Sequence, residues 1–485
     1  MTRPEYYSVT EQIVALANRE VSAAELAEIA IARIEKFDAG VNAVVVRRFE
    51  EARNEAREAD AALARGERKP LLGIPMTVKE AFNVAGLPTT WGVASQKDWK
   101  PSEDAVAVQR LRNAGAIIIG KTNVPHLLMD WQSYNDVYGT TNNPWDLSRT
   151  AGGSSGGSAA SLAAGYVALE LGSDIGGSLR VPAHFCGVFA HKPSYGLVPR
   201  RGHTPPGIPA LPQNVDLSVA GPMARSASDL ALALDILAGP DEPQSIAYRL
   251  TMPPPRHTSL KEVRLLILDT HPLVPTSKAT LAALESLAKS LRKTGAKVER
   301  TTPFLPNLML MSRIYLQLLN SMFGADIPIE SYRRLQQAAS SLDSDETPDQ
   351  WRLRGTVLSH RDWIHADRIR AGLCANWREL FREFDAVVCP VMPTPAFPHD
   401  HSSEQRKRRI VIDGAEYPYL DQIHWPGIAT LIGLPATALP IAQSPEGSPI
   451  GAQIIGPYLE DRTPIALAEL IEREFGGFRA PPGCN

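Results

Sequence analysis

The sequence predicts an α/β protein, one large domain in which a β-sheet carries α-helices on its faces. Two observations predict it. Short apolar runs of strand length, such as 116–120 and 385–390, alternate with helix-length segments whose apolar residues recur at helical spacing. No internal repeat, low-complexity block or convincing linker interrupts the chain, so residues 1–485 read as a single domain.

The elements follow in order. Ser8 caps a helix reaching about Asn18. Ser22 and Glu25 have capping-box spacing and open a helix with Leu26, Ile29, Ala30, Ile34 and Phe37 on one face. Residues 42–46 read as a short strand, and 48–65 as a solvated helix supported by i,i+4 charge pairs. In 71–79, Ile74, Met76 and Val78 alternate, which predicts a buried strand ending on Lys79. Residues 104–115 form a helix with Gly115 at its C-cap, and 116–120 a buried strand. Residues 142–146 are a turn cluster. From 150 to 180, two glycine-rich, serine-bearing loops flank a run of small residues. A helix begins near Ser226. Residues 263–269, 278–294 and 297–300 form a βαβ-like unit with no phosphate-binding glycine fingerprint. The mainly helical stretch 305–384 carries Met309, Met311, Tyr315, Met322, Phe323, Trp351, Trp363 and Trp377; such a stripe suits a core, and alternatively the wall of an apolar pocket. Strands follow at 385–390, 433–436 and 450–456, and a last helix at 463–475. Between them, the basic cluster 405–409 reads as a solvated loop.

Composition narrows the function. A net charge of −3 offers nothing to nucleic acid or an anionic membrane. The most apolar run, 427–442, contains Pro435 and Pro440 and is too short to span a bilayer. The N-terminus lacks an apolar signal core, so a cytoplasmic protein is expected. Cys186, Cys374, Cys389 and Cys484 are scattered, which suits free buried thiols better than disulfides or a zinc knuckle. The 11 histidines include no H-E-x-x-H and no ligand spacing, so no metal site is expected, and no P-loop is present.

Chemistry concentrates in the serine loops. Gly153-Ser154-Ser155-Gly156-Gly157 matches a lone G-x-S-x-G, which would make Ser155 a nucleophile, but that elbow needs an apolar strand before it and 146–150 is polar. Lys79 suits either a lysine leaving the core for water or one held in a dry pocket where its charge is disfavoured. His184 and His191 lie near Ser178 in sequence and leave a Ser–His pair open.

Several motifs in fixed order then carry a resemblance. Gly152-Gly153-Ser154-Ser155-Gly156-Gly157-Ser158 and Gly172-Ser173-Asp174-Ile175-Gly176-Gly177-Ser178-Leu179-Arg180 resemble the signature of the amidase signature family. Gly73-Ile74-Pro75-Met76-Thr77-Val78-Lys79-Glu80 is similar to that family's lysine motif, and His191-Lys192-Pro193 and Gly221-Pro222-Met223 agree as well. The resemblance runs from about residue 8 to 475, with the signature core over about 70–230. It implies a large mixed, twisted sheet wrapped by helices, amide hydrolysis without a cofactor, and by analogy a homodimer. Matched residue by residue, it implies Ser178 as nucleophile, Ser154 as a bridging serine on a cis peptide, and Lys79 as base. The physics suits these roles. A serine hydroxyl needs a neighbouring base, and a lysine serves only when neutral, which at pH 7 costs about 4–5 kcal/mol that burial must bias. The backbone N–H groups of Ile175, Gly176 and Gly177, with that of Ser178, would form an oxyanion hole, each donor worth about 3–4 kcal/mol. Asp174 and Arg180 would brace the loop, with Ser155 and Thr150 as supporting hydroxyls.

The expected reaction is hydrolysis of aryl or alkyl amides, and of carbamates, with Met129, Trp131 and Gln132 approaching the substrate pocket. Two alternatives stand: the glutamine-hydrolysing subunit of a tRNA-dependent amidotransferase, and a non-catalytic binding protein on the same fold. The chain departs from the family pattern at Leu72, Glu80 and His191, and Glu80 bears on the hydrogen bonding around Lys79.

Overall fold

In the computed structural model, which describes residues 4–484, eleven strands form one sheet. In chain order they are β1 (Val44–Arg47), β2 (Pro75–Lys79), β3 (Ile117–Thr122), β4 (Leu169–Asp174), β5 (Phe189–Lys192), β6 (Val219–Ala224), β7 (Arg264–Ile267), β8 (Lys297–Glu299), β9 (Ala386–Pro390), β10 (Ala436–Gln443) and β11 (Pro449–Ile455). Across the sheet they run β1-β3-β2-β4-β6-β5-β10-β11-β9-β7-β8. The sheet is mixed: β2 is parallel to β3 and β4, and β7 to β8 and β9, while the β4–β6 and β10–β11 pairs are antiparallel.

Helices cover both faces, and strand alternation shows why. Leu265 and Ile267 of β7 and Ala386 and Val388 of β9 enter one apolar core; Leu266 of β7 and Val387 and Cys389 of β9 enter another. Strands buried on both faces read as near-continuous apolar runs, which is why β7 and β9 are visible in sequence. The β7–β8 crossover is the helix Lys278–Lys293, its first turn capped by Ser277, whose hydroxyl accepts the Thr280 N–H. The capping boxes at Ser8 and Ser22 form as expected.

The structure departs from the sequence reading in the serine-rich stretch. The small-residue run is a buried helix, Gly156–Ala163, and the residues after it form β4. Both carry glycine where neighbours crowd. A Cβ on Gly157 would sit 2.8 Å from Asn123 O and 2.9 Å from Ala43 O; one on Gly172 would sit 2.6 Å from Leu179 Cδ2. Close approach therefore removes the bulky residues by which strands and helices are recognised. β6, with Gly221 and Pro222, is hidden for the same reason. The 405–409 cluster is also not wholly solvated: Arg408 is buried, and its guanidinium pairs with Asp130 at 2.6 Å.

The region 305–384 is four helices, Leu308–Gly324, Ile329–Ser340, Pro348–Thr356 and His360–Glu383. Met311, Tyr315 and Trp377 join the core, whereas Leu316, Leu319 and Phe323 line a cavity beside the signature loops. No helix among the described residues is long and apolar enough to cross a membrane. Cys186, Cys374, Cys389 and Cys484 are free thiols, all buried except the half-buried Cys374.

Candidate active site

Lys79 ends β2, and β2 lies beside β4 with Val78 opposite Leu171. That register buries the lysine completely, so it does not leave the core for water. Its Nζ donates to Ser154 Oγ at 2.7 Å and to Ser173 Oγ at 2.9 Å. Burial lowers its pKa to about 7; the Asp174 charge opposes this, Arg200 adds to it, and Glu170 opposes it. Glu170 is itself raised to about 8 by burial, which weakens the counter-charge it offers the lysine near neutrality.

Ser154 sits in the loop before the helix Gly156–Ala163, and the Gly153–Ser154 peptide is cis. Ser178 sits in the loop after β4. The two loops are tied where Ser155 N–H donates to Ser178 O at 3.2 Å. Ser178 lines the cavity beside the signature loops, about 460 Å³ in volume. Among the described residues no hydrogen bond joins its hydroxyl to Ser154, so the structure brings Lys79 to Ser154 but leaves the last link unmade.

The Ser178 loop is braced from below. Asp174 accepts from Arg180 NH2 at 2.9 Å, from Gly177 N–H at 2.9 Å and from Leu179 N–H at 3.1 Å. Burial works to raise the Asp174 pKa, yet the Arg180 charge and these donors hold it below the ordinary carboxylate value. One expectation changes here. Gly177 gives its N–H to Asp174, so it does not face the cavity as an oxyanion donor. Among the described residues the N–H groups of Ile175, Gly176 and Ser178 have no protein acceptor. Two side chains hold the neighbouring carbonyls: Trp131 Nε1 donates to Gly176 O at 2.8 Å and Tyr315 OH to Ile175 O at 2.7 Å.

The remaining candidates separate clearly. Thr150 Oγ1 accepts the Gly152 N–H at 3.0 Å and supports the loop. Ser155 is fully buried and its hydroxyl donates to Ser173 O at 3.4 Å; the strand before it, Asp146–Thr150, belongs to a two-stranded hairpin outside the main sheet. A nucleophile elbow is therefore not built. Met129 and Trp131 line the cavity, but Gln132 does not: its amide donates to Asp400 O at 2.8 Å and accepts from Asp400 N–H at 2.9 Å, anchoring the loop above. His184 is held by backbone groups of Gly451 and Thr394, and His191 by Thr437 and Asp461, so neither forms a Ser–His pair. Glu80 takes the Trp91 N–H at 3.0 Å and the Tyr138 hydroxyl at 3.3 Å and bonds to neither Lys79 nor Ser154. A larger cavity of about 590 Å³, lined by Tyr195, Arg370, Cys374 and Tyr458, lies apart from these groups.

A model of the family described as Amidase matches residues 25–464. The chain belongs to the amidase signature family. Relatives span a range of reactions. Fatty-acid amide hydrolase 2-A of Danio rerio is 32% identical over 96% of this chain and 88% of its own. A glutamyl-tRNA(Gln) amidotransferase subunit of Anaeromyxobacter sp. (strain K) is 32% identical over 96% of each. Indoleacetamide hydrolase of Bradyrhizobium diazoefficiens is 32% identical over 96% of this chain and 86% of its own. A crystal structure of an amidase superposes with a TM-score of 0.75 at 30% identity, covering 97% of this chain and 100% of that one. This chain is accordingly an amidase-signature hydrolase, built on that family's mixed sheet.

Sequence reading sets Ser173 within the signature without a role, and Tyr315 in a stripe suited to a core or a pocket wall; the structure sets Ser173 on Lys79 and Tyr315 on the Ser178 loop.

Proposed function

We propose that this amidase cleaves carboxylic amides of apolar aryl or alkyl acids, and carbamates, through an acyl-enzyme on Ser178. The observation that carries this reading is the buried Lys79, bonded at 2.7 Å to Ser154, while Ser178 faces an apolar cavity on the joined loop. Neutral Lys79 accepts a proton from Ser154, which takes one from Ser178 as Ser178 Oγ attacks the carbonyl carbon. The oxyanion meets the N–H groups of Ile175, Gly176 and Ser178. The proton returns through Ser154 to the leaving nitrogen, the C–N bond breaks, and the amine departs. Water then adds to the acyl-enzyme with its proton passed the same way, and the acid leaves Ser178 protonated again. The scheme uses no cofactor.

The acyl group is read from the cavity. Leu128, Trp131, Leu316, Leu319, Phe323 and Ile423 line it alongside Arg352, Glu404 and Arg406, and the apolar share of the wall suits an apolar acyl chain or ring better than the polar side chain of glutamine. The resemblance to the amidotransferase relative keeps glutamine as a comparison substrate. The test is a panel of acyl-p-nitroanilides, simple amides, carbamates and glutamine, offered to wild type and Ser178→Ala. Turnover of the apolar amides that Ser178→Ala abolishes is expected. Ammonia released from glutamine alone, and only with an added partner protein, would overturn the substrate assignment.

A further inference from the structure

Behind Lys79 lies a second polar chain. Ser173 Oγ, which holds Lys79 Nζ, is also bonded at 2.9 Å to His203 Nε2. His203 Nδ1 is bonded at 2.6 Å to Arg200 NH2. A guanidinium has donors only, so Nδ1 must be the acceptor and Nε2 must carry the imidazole hydrogen. The imidazole packs against the rings of Phe82 at 4.6 Å and Trp91 at 5.2 Å, an apolar setting that resists a charge of its own.

Arg200 is buried, and among the described residues no carboxylate lies within salt-bridge distance of it. Among the described residues its Nε and NH1 have no hydrogen-bond partner. Its neighbour differs: Arg201 meets Asp241 with both bonds at 2.8 Å. A buried cation without a counter-ion is costly to the fold. It persists here where its charge points, through His203 and Ser173, at the amine of Lys79.

We propose that Arg200 and His203 are positioning residues for the base: His203, locked as its Nε2–H tautomer by the guanidinium, holds the Ser173 hydroxyl that holds Lys79, and the uncompensated charge of Arg200 disfavours a second positive charge on the lysine. The inference rests on Lys79 acting as base. The charged and titratable groups around this device are few. Asp174, Arg200 and Glu170 act on Lys79; Arg200 and Lys79 act on His203; Tyr195 acts on Arg200, which also lines a cleft with Arg201, Asp241 and Glu242. Burial lowers Arg200 only to about 10, so it remains a cation at neutral pH, while burial, Arg200 and Lys79 together hold His203 neutral.

The test needs no knowledge of the natural substrate. It reads the rate at which a fluorophosphonate labels Ser178 as a function of pH, in wild type, Arg200→Met, Arg200→Lys and Lys79→Ala. In wild type the rate should rise with a midpoint near 7. Arg200→Met should move that midpoint up by about one pH unit, a roughly tenfold loss at pH 6 that vanishes above about pH 9. Arg200→Lys, whose buried amine gives up its proton more readily than the guanidinium, should leave the midpoint between those of wild type and Arg200→Met. A merely structural arginine would lower the rate equally at every pH. An unmoved midpoint in Arg200→Met overturns the inference. Should that variant not fold, Arg200→Gln takes its place, and a midpoint equal to that of wild type overturns the inference. If wild-type labelling is flat with pH or survives Lys79→Ala, it is the base assignment that fails instead.

Discussion

Replacing Lys79 by methionine separates the cost of a buried base from its use. The ordinary lysine value of 10.5 falls to about 7 in the folded chain. Between these values the unfolded state binds more protons than the folded one, so wild-type stability rises with pH across that window and the lysine is a liability below it. A difference of this size corresponds to about 4–5 kcal/mol when fully expressed, about 4 kcal/mol at pH 7, and under about 1 kcal/mol at pH 10. Methionine has nearly the same length and does not titrate. It does leave Ser154 and Ser173 without their amine partner, a cost of roughly 1–3 kcal/mol that does not vary with pH in this range. The informative quantity is thus the pH slope of the stability difference. Urea unfolding of both proteins, followed by tryptophan fluorescence at pH 6.5, 7, 8, 9 and 10, should show the variant gaining on wild type by about 3 kcal/mol as pH falls from about 10 to 7. Hydrolysis by the variant should be lost by a factor of about 10²–10⁴ at every pH. A stability difference that stays constant across the series would refute the claim that burial holds Lys79 neutral.

Three further outcomes follow from contacts around Ser178. Tyr315→Phe removes the hydroxyl that holds Ile175 O at 2.7 Å, and should lower kcat about tenfold with KM little changed, because the loosened N–H groups matter most to the charged transition state. Asp174→Asn leaves the fully buried Arg180 uncompensated and should cost about 3–5 kcal/mol in urea unfolding, together with loss of Ser178 labelling. Gly177→Ala places a side chain at φ 96° and 2.8 Å from Pro426 Cβ, and should lower both the thermal midpoint and the labelling rate; unchanged values in both would mean that the loop is not held as described.

The chain's local order was legible where physics acts over a few residues. Serine caps at 8, 22 and 226 opened the helices they predicted, and the alternation before Lys79 and the apolar run after Gly115 became β2 and β3. The same logic failed where packing overruled propensity. The helix Gly156–Ala163 and strand β4 are made of small residues because backbones and side chains press on them, and no intrinsic preference announces that. The basic cluster misled for a related reason: charge suggested solvent for Arg408, but Asp130 and Tyr134 wait for it in the fold.

The sequence by itself determined the family, the α/β class and the residue types able to perform acyl transfer, since these reside in short motifs whose order survives without a fold. Tertiary structure alone decided which of them meet. Lys79 and Ser154 are 75 residues apart, Lys79 and Ser173 94 apart; the pairing of β2 with β4 brings Lys79 to Ser173, and the loop before the helix Gly156–Ala163 brings Ser154 to the same dry place. It also withdrew Gly177 from the oxyanion donors and Gln132 from the cavity, and it set Arg200 behind His203 with no carboxylate in salt-bridge distance among the described residues. The reason is range: motifs record contacts along the chain, whereas the dielectric around a lysine and the direction of an N–H depend on segments that only folding assembles.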